Sequence, residues 1–199
     1  MSDKEISELN LKSAEHYGLQ LQMNHFTEEL AELIQAVAEL DPKHIAEELA
    51  DVEVMVEQME YLLTLDKDTI KRYAAAHEEH DARMCFWFLA APIKSINKLR
   101  RADLEASTSK RNAAKHSIEL AIGDLTSYLD WLVERFGIPT EEILEIKSYK
   151  VQRTDSHGQT YKVPGLCKIG ADHIISGFPV YLPTAKCDKI TEAPLQNGS

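Results

Sequence analysis

The chain has few cysteines, and none of them are spaced to form a metal site. Its three cysteines, Cys85, Cys167 and Cys187, include no pair with the Cys-x-x-Cys spacing of zinc and redox sites. We expect reduced thiols in a cytoplasmic protein, with a disulfide between Cys167 and Cys187 as the less favoured alternative. The sequence also lacks a basic leader with an apolar stretch and any long apolar run, so neither a signal peptide nor a membrane span is expected.

Positive charge is scarce as well. Lysine and arginine number 22 against 33 aspartates and glutamates, which gives a formal net charge of -11. Proteins that bind nucleic acid usually carry a basic surface, so this balance argues against a nucleic-acid partner. No glycine-rich phosphate loop and no Ser-His-Asp catalytic set is apparent in the sequence. A polyanionic substrate would therefore need metal ions or a few well-placed cations.

Apolar residues recur with the period of an α-helix from about residue 19 to residue 153. One stripe extends from Leu19 to Leu40 and ends at Asp41-Pro42, a sequence that breaks helices. A second stripe extends from Ile45 to Leu63, and a short third segment covers about 66–80. These segments predict two long helices and a short one.

The same pattern starts again near residue 84. A helix at about 84–101 is followed by a polar loop through Ser107-Thr108-Ser109 and then by a long helix. Gly137 is expected to end that helix, because glycine adopts the left-handed conformation that helix ends require. Glu141 and Glu142 fit the first turn of a further helix, where negative charge is favourable.

The sequence changes character after residue 153. Residues 154–199 are rich in glycine, proline, serine and threonine and lack a helical period. His173-Ile174-Ile175 and Val180-Tyr181-Leu182 are candidates for short strands. We therefore predict an all-α helical bundle at 1–153 and an irregular C-terminal extension at 154–199.

The restart of the helical pattern indicates an internal duplication. An offset of 73 residues pairs the second apolar stripe with that of the long helix, for example Leu49 with Ile122. An offset of 59 does the same for the first stripe, and the difference of 14 residues is expected as an insertion in the polar loop of the second copy. The bundle would then consist of two tandem units, at about 15–80 and 82–153.

Four acids occupy equivalent places on the first two predicted helices. Glu29 and Glu32 are three residues apart, as are Glu48 and Asp51, so each pair lies on one helical face. Both pairs lie at similar angles from their apolar stripes, so two antiparallel helices would bring the four carboxylates together. Such a cluster needs a cation, and hard oxygen ligands favour Mg²⁺ or Mn²⁺ over Zn²⁺.

The alternative for such acids is a solvated acidic face, which is common on glutamate-rich helices. Other acids of the same two helices are assigned to that face: Glu39, Glu47, Glu57 and Glu60.

The sequences EELAEL at 28–33 and EELADV at 47–52 resemble the EExxE…ExxD signature of the all-α NTP pyrophosphatases. This superfamily includes the MazG-like proteins, the dimeric dUTPases and the phosphoribosyl-ATP pyrophosphohydrolases, and the resemblance covers about 19–153. It implies that the four acids bind Mg²⁺ and that Glu28 orients or deprotonates the attacking water. It also implies hydrolysis of a nucleoside triphosphate to the monophosphate and pyrophosphate.

The second copy has lost most of these acids. The offsets place Phe88, Ala91 and Ala121 where the first copy has its first three acids, and only Asp124 remains. The second copy is therefore not expected to hold the metal.

The second copy instead carries bases. Its last helix resembles the basic helix of MazG-like chains that faces the phosphates, and it contributes three cations: Lys147, Lys150 and Arg153. One composite active site shared by both copies would need the acids in only one copy and the bases in only the other. The distribution of charges fits such a site. Further candidates for substrate binding are His25, Lys94 and Lys98, with Arg100 and Arg101 as additional cations. For each of these cations the alternative is an ordinary solvated surface position.

Trp87 and Trp131 lie among apolar residues and are assigned to the core, with stacking on a nucleobase as the alternative.

We therefore predict a Mg²⁺-dependent pyrophosphohydrolase that acts on a (deoxy)nucleoside triphosphate. Two alternatives stay open: a dUTPase-type enzyme that acts on the triphosphate and the diphosphate, and a non-catalytic helical interaction protein with a solvated acidic face. No motif reports the base or the sugar of the substrate. Neither nucleic acid nor membrane is expected as a partner, and a homodimer stays open because fused units could still pair.

Overall fold

The computed structural model describes residues 1–75 and 85–156, together with four short strands between residues 166 and 183. The fold is all-α, as predicted. The described residues form six helices: α1 (Asp3–Glu39), α2 (Pro42–Leu63), α3 (Lys67–Ala74), α4 (Cys85–Leu104), α5 (Thr108–Phe136) and α6 (Thr140–Ser156). Within the described ranges, none of these helices is both long and apolar enough to cross a membrane.

The contacts divide the chain into two units, Met1–Arg153 and Thr154–Ser199. The second unit contains two antiparallel strand pairs. They are β1 (Leu166–Lys168) with β4 (Tyr181–Pro183), and β2 (Ile174–Ile175) with β3 (Phe178–Pro179). The strands predicted at 173–175 and 180–182 overlap β2 and β4. Cys187 and the end of the predicted third helical segment, residues 76–80, lie outside the described residues.

Helix α1 begins at Asp3 rather than at the predicted Leu19. Ser2 caps it: the Ser2 hydroxyl accepts a hydrogen bond from the Glu5 amide, and a Glu5 carboxylate oxygen accepts one from the Ser2 amide. Gly18 interrupts the helix with a φ of 74°, in a region that favours glycine. The segment before this kink packs on α2, where buried Asn10 donates a hydrogen bond to the Val54 carbonyl oxygen at 3.0 Å.

Helices α1 and α2 form a hairpin whose turn was predicted correctly. Asp41 caps α2, and Pro42 occupies its first turn, where a missing amide hydrogen costs nothing. The two predicted apolar stripes face each other in the core, and their largest fully buried members are Met23, Phe26, Leu30, Leu33, Ile45, Leu49 and Met59.

Helices α4 and α5 form a longer hairpin, and the predicted polar loop at 107–109 was wrong. Ser107 is the N-cap of α5, and its hydroxyl accepts a hydrogen bond from the Lys110 amide. The offset of 59 would end the helix at Lys98, whereas α4 continues to Leu104. The offset of 73 would start the next helix at Lys115, whereas α5 starts at Thr108. The extra residues therefore lengthen both helices of the hairpin rather than its loop.

Helix α3 packs closely on α5 at Gly123. A Cβ atom at this glycine would lie 2.6 Å from the Tyr73 Cβ and 2.7 Å from the Ile70 carbonyl oxygen, so no larger residue fits without movement. Helix α5 then ends at Gly137, which has a φ of 64°, as predicted.

Helix α6 reaches α2 through lysine side chains, since Lys147 bonds Glu53 and Lys150 bonds Asp51. The third helix of each predicted unit thus contacts the second helix of the other. The duplication itself stays a prediction, but this arrangement places the bases of α6 beside the acids of α2.

Candidate metal centre

Three of the four predicted acids converge where α1 packs beside α2. Glu29 of α1 and Glu48 and Asp51 of α2 each offer a carboxylate oxygen, and these oxygens all lie within 4.8 Å of one another. All three residues are half-buried. Oxygen atoms that share one divalent cation lie about 2–2.6 Å from it, so atoms this close can bind the same ion.

Glu32, the fourth predicted acid, lies at the exposed edge of this cluster. It is close enough to hydrogen-bond with both Glu29 and Glu48, and its charge raises the pKa of both. The structure thus brings three of the four predicted acids together, with Glu32 beside them.

The crowded carboxylates hold protons more tightly than isolated ones. The pKa of Glu29 is raised to about 7, first by burial and then by the charges of Glu32 and Glu48, while Lys150 opposes the rise. Burial also raises the pKa of Glu48, again against the influence of Lys150. The raised pKa values show that burial and the neighbouring carboxylates outweigh Lys150, so the cluster has a deficit of positive charge.

The Glu48 Oε2 atom shows the same deficit. It is buried, and among the described residues it has no hydrogen-bond partner. An unsatisfied buried carboxylate oxygen is costly, and a cation beside it would remove that cost. The oxygen-only donor set and this unpaired atom fit Mg²⁺ or Mn²⁺ held by Glu29, Glu48 and Asp51 with Glu32 at the edge.

Lys150 of α6 supplies a counter-charge to the cluster. Its ammonium group bonds Asp51 Oδ2 and donates to the Glu47 carbonyl oxygen at 3.2 Å. Burial lowers the pKa of Lys150, whereas the charges of Glu48 and Glu29 act to raise it. One ammonium therefore partly balances a cluster of several carboxylates.

Lys147 lies one helical turn before Lys150 and is also half-buried. Its Nζ lies 2.9 Å from Glu53 Oε2 on α2. Arg153, a further turn along, is exposed at the end of the helical unit. Lys147 and Lys150 thus face the acidic side of α2.

The remaining predicted residues of α1 lie near Glu29 along the helix. Glu28 is exposed and immediately precedes Glu29, and His25 is half-buried one turn earlier. Their predicted roles, as a base and as a substrate contact, stay predictions.

Lys94 and Lys98 lie elsewhere. They line a groove between α4 and α5 that contains none of the four acids. Trp87, at the end of the same groove, is 59% exposed, so its assignment to the core was wrong. Trp131 does pack against the core, where it stacks on Tyr128 with ring centroids 5.5 Å apart.

The sequence interpretation also misplaced Glu57. This residue is half-buried and accepts hydrogen bonds from the Ser7 hydroxyl and, at 2.6 Å, from Asn10 Nδ2, so it does not belong to a solvated face. Glu47 and Glu60 are also half-buried, and Glu60 pairs with Lys67 at 3.2 Å, whereas Glu39 is exposed as predicted.

His44 was missed. Its Nε2 lies 3.5 Å from Glu48 Oε1 and its Nδ1 lies 2.9 Å from Glu39 Oε2. Its position four residues before Glu48 on α2 was the available signal, because residues four apart are neighbours on a helix.

Comparisons of the chain with known protein families, curated proteins and solved structures gave no match. Function must therefore be inferred from the chemistry of this site. Clustered carboxylates beside two lysines can hold a divalent cation and bind a polyanion next to it.

Proposed function

We propose that the chain is a Mg²⁺-dependent pyrophosphohydrolase that converts a (deoxy)nucleoside triphosphate to the monophosphate and pyrophosphate. The observation that carries the proposal is the convergence of Glu29, Glu48 and Asp51, whose oxygens lie within 4.8 Å of one another on two adjacent helices. The motif resemblance in the sequence points to the same reaction.

The four acids would hold the cation through Glu29, Glu48 and Asp51, with Glu32 at the open edge. Their excess negative charge favours a divalent ion over the single ammonium of Lys150. Bound Mg²⁺ would draw charge from the phosphate oxygens and so make the phosphoanhydride easier to cleave. The exposure of Glu32 leaves the cluster accessible from solvent on that side.

The lysines of α6 would bind the phosphate chain. Lys150 bonds Asp51, and once the carboxylates are neutralised its ammonium can turn to a phosphate oxygen instead. Lys147 stands one turn away on the same helix and can contact a second phosphate. Charge-assisted contacts of this kind are worth about 1.5–3 kcal/mol each.

Glu28 is the proposed general base. Its exposed carboxylate adjoins the cluster on α1, where it can accept the proton of the attacking water. Attack at the α-phosphorus would release pyrophosphate as the leaving group and leave the nucleoside monophosphate.

The test is a screen of the common NTPs and dNTPs with the full chain, in Mg²⁺ and in EDTA, with separate assays for pyrophosphate and orthophosphate. We expect at least one nucleotide to yield pyrophosphate and monophosphate in Mg²⁺ only. Asp51→Asn should abolish this turnover, and Glu8→Gln, which alters an exposed acid of the same helix α1, should retain it.

Release of orthophosphate, or no turnover of any nucleotide, would contradict the proposed reaction. If a nucleoside diphosphate is hydrolysed as fast as the triphosphate, the reaction is of the dUTPase type instead.

A further inference from the structure

The groove between α4 and α5 is a second candidate site, separate from the carboxylate cluster. It consists of two adjoining hollows of about 220 and 320 Å³, which share Lys98 and Ser117 as lining residues. The wall from α4 carries Trp87, Lys94, Lys98 and Arg101.

These four side chains form one stripe along α4. They are spaced seven, four and three residues apart, so at 3.6 residues per turn they fall within roughly 60° of one another around the helix. At a rise of 1.5 Å per residue, Trp87 lies about 10 Å before Lys94, and the three cations span about another 10 Å. The stripe thus has an aromatic end and a cationic end.

The cations of this stripe have no acidic partners. Lys94, Lys98 and Arg101 make no side-chain hydrogen bond or ion pair with any described residue. Their neighbours in the lengthened hairpin do: Lys110 pairs with Glu105, and Arg111 pairs with Asp103 at 3.2 Å. The lining also includes Lys110, Glu105 and Asp124, so the groove of this acidic chain holds four cations and two acids, a local excess of positive charge.

Both walls leave room beside the indole of Trp87. Small side chains line much of the groove: Ala90, Ala91, Ala113, Ala114, Ser117 and Ala121. Since Trp87 is 59% exposed, it presents an apolar ring to an open space of about 220 Å³. An aromatic ring exposed in this way is suited to stacking on a planar ligand.

The sequence offsets relate this groove to the carboxylate cluster. Ala91, Ala121 and Asp124 of the groove correspond to Glu32, Glu48 and Asp51 of the first unit. The second unit has lost two of these acids and has cations nearby. Its groove therefore favours an anion, whereas the cluster of the first unit favours a divalent cation.

We propose that this groove binds a nucleoside polyphosphate without a metal ion, with its base stacked on Trp87 and its phosphates along Lys94, Lys98 and Arg101. The rise of about 10 Å from Trp87 to Lys94 leaves room for a sugar between a stacked base and its phosphate chain. The short basic stripe and the net charge of -11 favour a single nucleotide over a nucleic acid. This site does not depend on the proposed hydrolysis, because it uses none of the carboxylates that would hold Mg²⁺.

The experiment is titration of the full chain in EDTA with each of the four common ribonucleoside triphosphates, followed by calorimetry and tryptophan fluorescence. We expect saturable binding of at least one, with quenching of the indole fluorescence. Trp87→Ala and the double variant Lys94→Gln/Lys98→Gln should each weaken this binding about tenfold or more. The single variant Lys98→Gln, checked for helicity by circular dichroism, serves if the double variant does not fold.

Matched variants of the carboxylate site separate the two sites. Asp51→Asn and Lys147→Ala/Lys150→Ala should leave binding in EDTA unchanged. Absence of saturable binding, or loss of binding in these variants rather than in the groove variants, would overturn the proposal. If inorganic triphosphate binds equally well, the ligand is a simple anion rather than a nucleotide. If oligo-dT binds more tightly, the ligand is a nucleic acid.

Discussion

Glu29 is the residue whose titration reports most directly on the carboxylate cluster. Its pKa is raised from 4.5 to about 7, first by burial and then by the charge of Glu32. At pH values between 4.5 and about 7, Glu29 is protonated in the folded chain and ionised in the unfolded chain. The free energy of unfolding of the metal-free protein therefore falls as the pH rises through this window and levels off above about pH 7.

We expect the parent protein in EDTA to lose more stability between about pH 5 and about pH 8 than Glu29→Gln, which cannot titrate. The full shift corresponds to about 3 kcal/mol, but because Glu29 is only half-buried we expect a difference of roughly 1 kcal/mol. Urea unfolding at the two pH values measures it. Equal pH dependence in parent and variant would show that the pKa of Glu29 is not raised in the folded protein.

Lys150 offers a second prediction for a single residue. Its ammonium competes with any cation for Asp51, so Lys150→Met should bind Mg²⁺ several-fold more tightly in the absence of nucleotide. The same change should lower the stability of the metal-free protein by about 1 kcal/mol, because a partly buried ion pair is lost. Calorimetric titration with Mg²⁺ and a thermal melt in EDTA measure the two effects, with Lys4→Met, 86% exposed, as control. Weaker Mg²⁺ binding by the Lys150 variant would contradict this account.

Spacing in the sequence identified the four acids because a helix converts a separation of three residues into a shared face. It could not place Glu57, whose partner Asn10 lies on the part of α1 before the kink at Gly18. Nor could it place Trp87, since its exposure depends on the small residues that α5 presents across the groove. Contacts between distant segments decide such positions, and the local pattern does not contain them.

At the scale of elements, the packing of α3 on α5 depends on Gly123. Alanine is normally favoured over glycine within a helix by about 0.5–1 kcal/mol. We nevertheless expect Gly123→Ala to destabilise the protein by about 1–3 kcal/mol, because the added Cβ would lie 2.7 Å from the Ile70 carbonyl oxygen. Chemical denaturation measures the change, and its sign is decisive. A stabilised variant would mean that α3 can move away from α5 at little cost.

The ends of the elements were predictable where a residue has one conformational role. Asp41-Pro42 and Gly137 fall into this group, since each favours a single position at a helix end. Ser107 was misinterpreted because serine is common both in loops and at helix N-caps. The segment of α1 before Gly18 was missed because its inner face includes the polar residue Asn10, which weakens the apolar stripe.

At the scale of the molecule, the helical unit should fold without the C-terminal unit. Because Met1–Arg153 forms a compact unit of its own, a chain that ends at Ser156, the last residue of α6, should keep the helical circular dichroism signal and a cooperative melt. Collapse of the helical signal would show that residues 157–199 are required for folding. Loss of turnover with retained helicity would instead assign the C-terminal unit a role in the reaction.

In the sequence, the composite site was indicated only by the different charges of the two halves of the helical unit. The acids lie in the first half and the basic helix in the second, and α6 does bring Lys147 and Lys150 to α2. The sequence did not predict the groove between α4 and α5. The groove depends on the lengthened hairpin, and only the packing shows that its cations have no partners.

The most direct test of the central claim is the thermal stabilisation of the protein by Mg²⁺. A site that binds the ion only in the folded state adds about 2.7 kcal/mol at a hundredfold excess over Kd, so the parent should melt several degrees higher in MgCl₂ than in NaCl of equal ionic strength. Glu29→Gln and Glu48→Gln should abolish this increase yet melt no lower than the parent in EDTA, because each removes a repelling charge. Glu8→Gln should behave like the parent. No stabilisation of the parent, or undiminished stabilisation of both cluster variants, would contradict the assignment of these acids as the metal site.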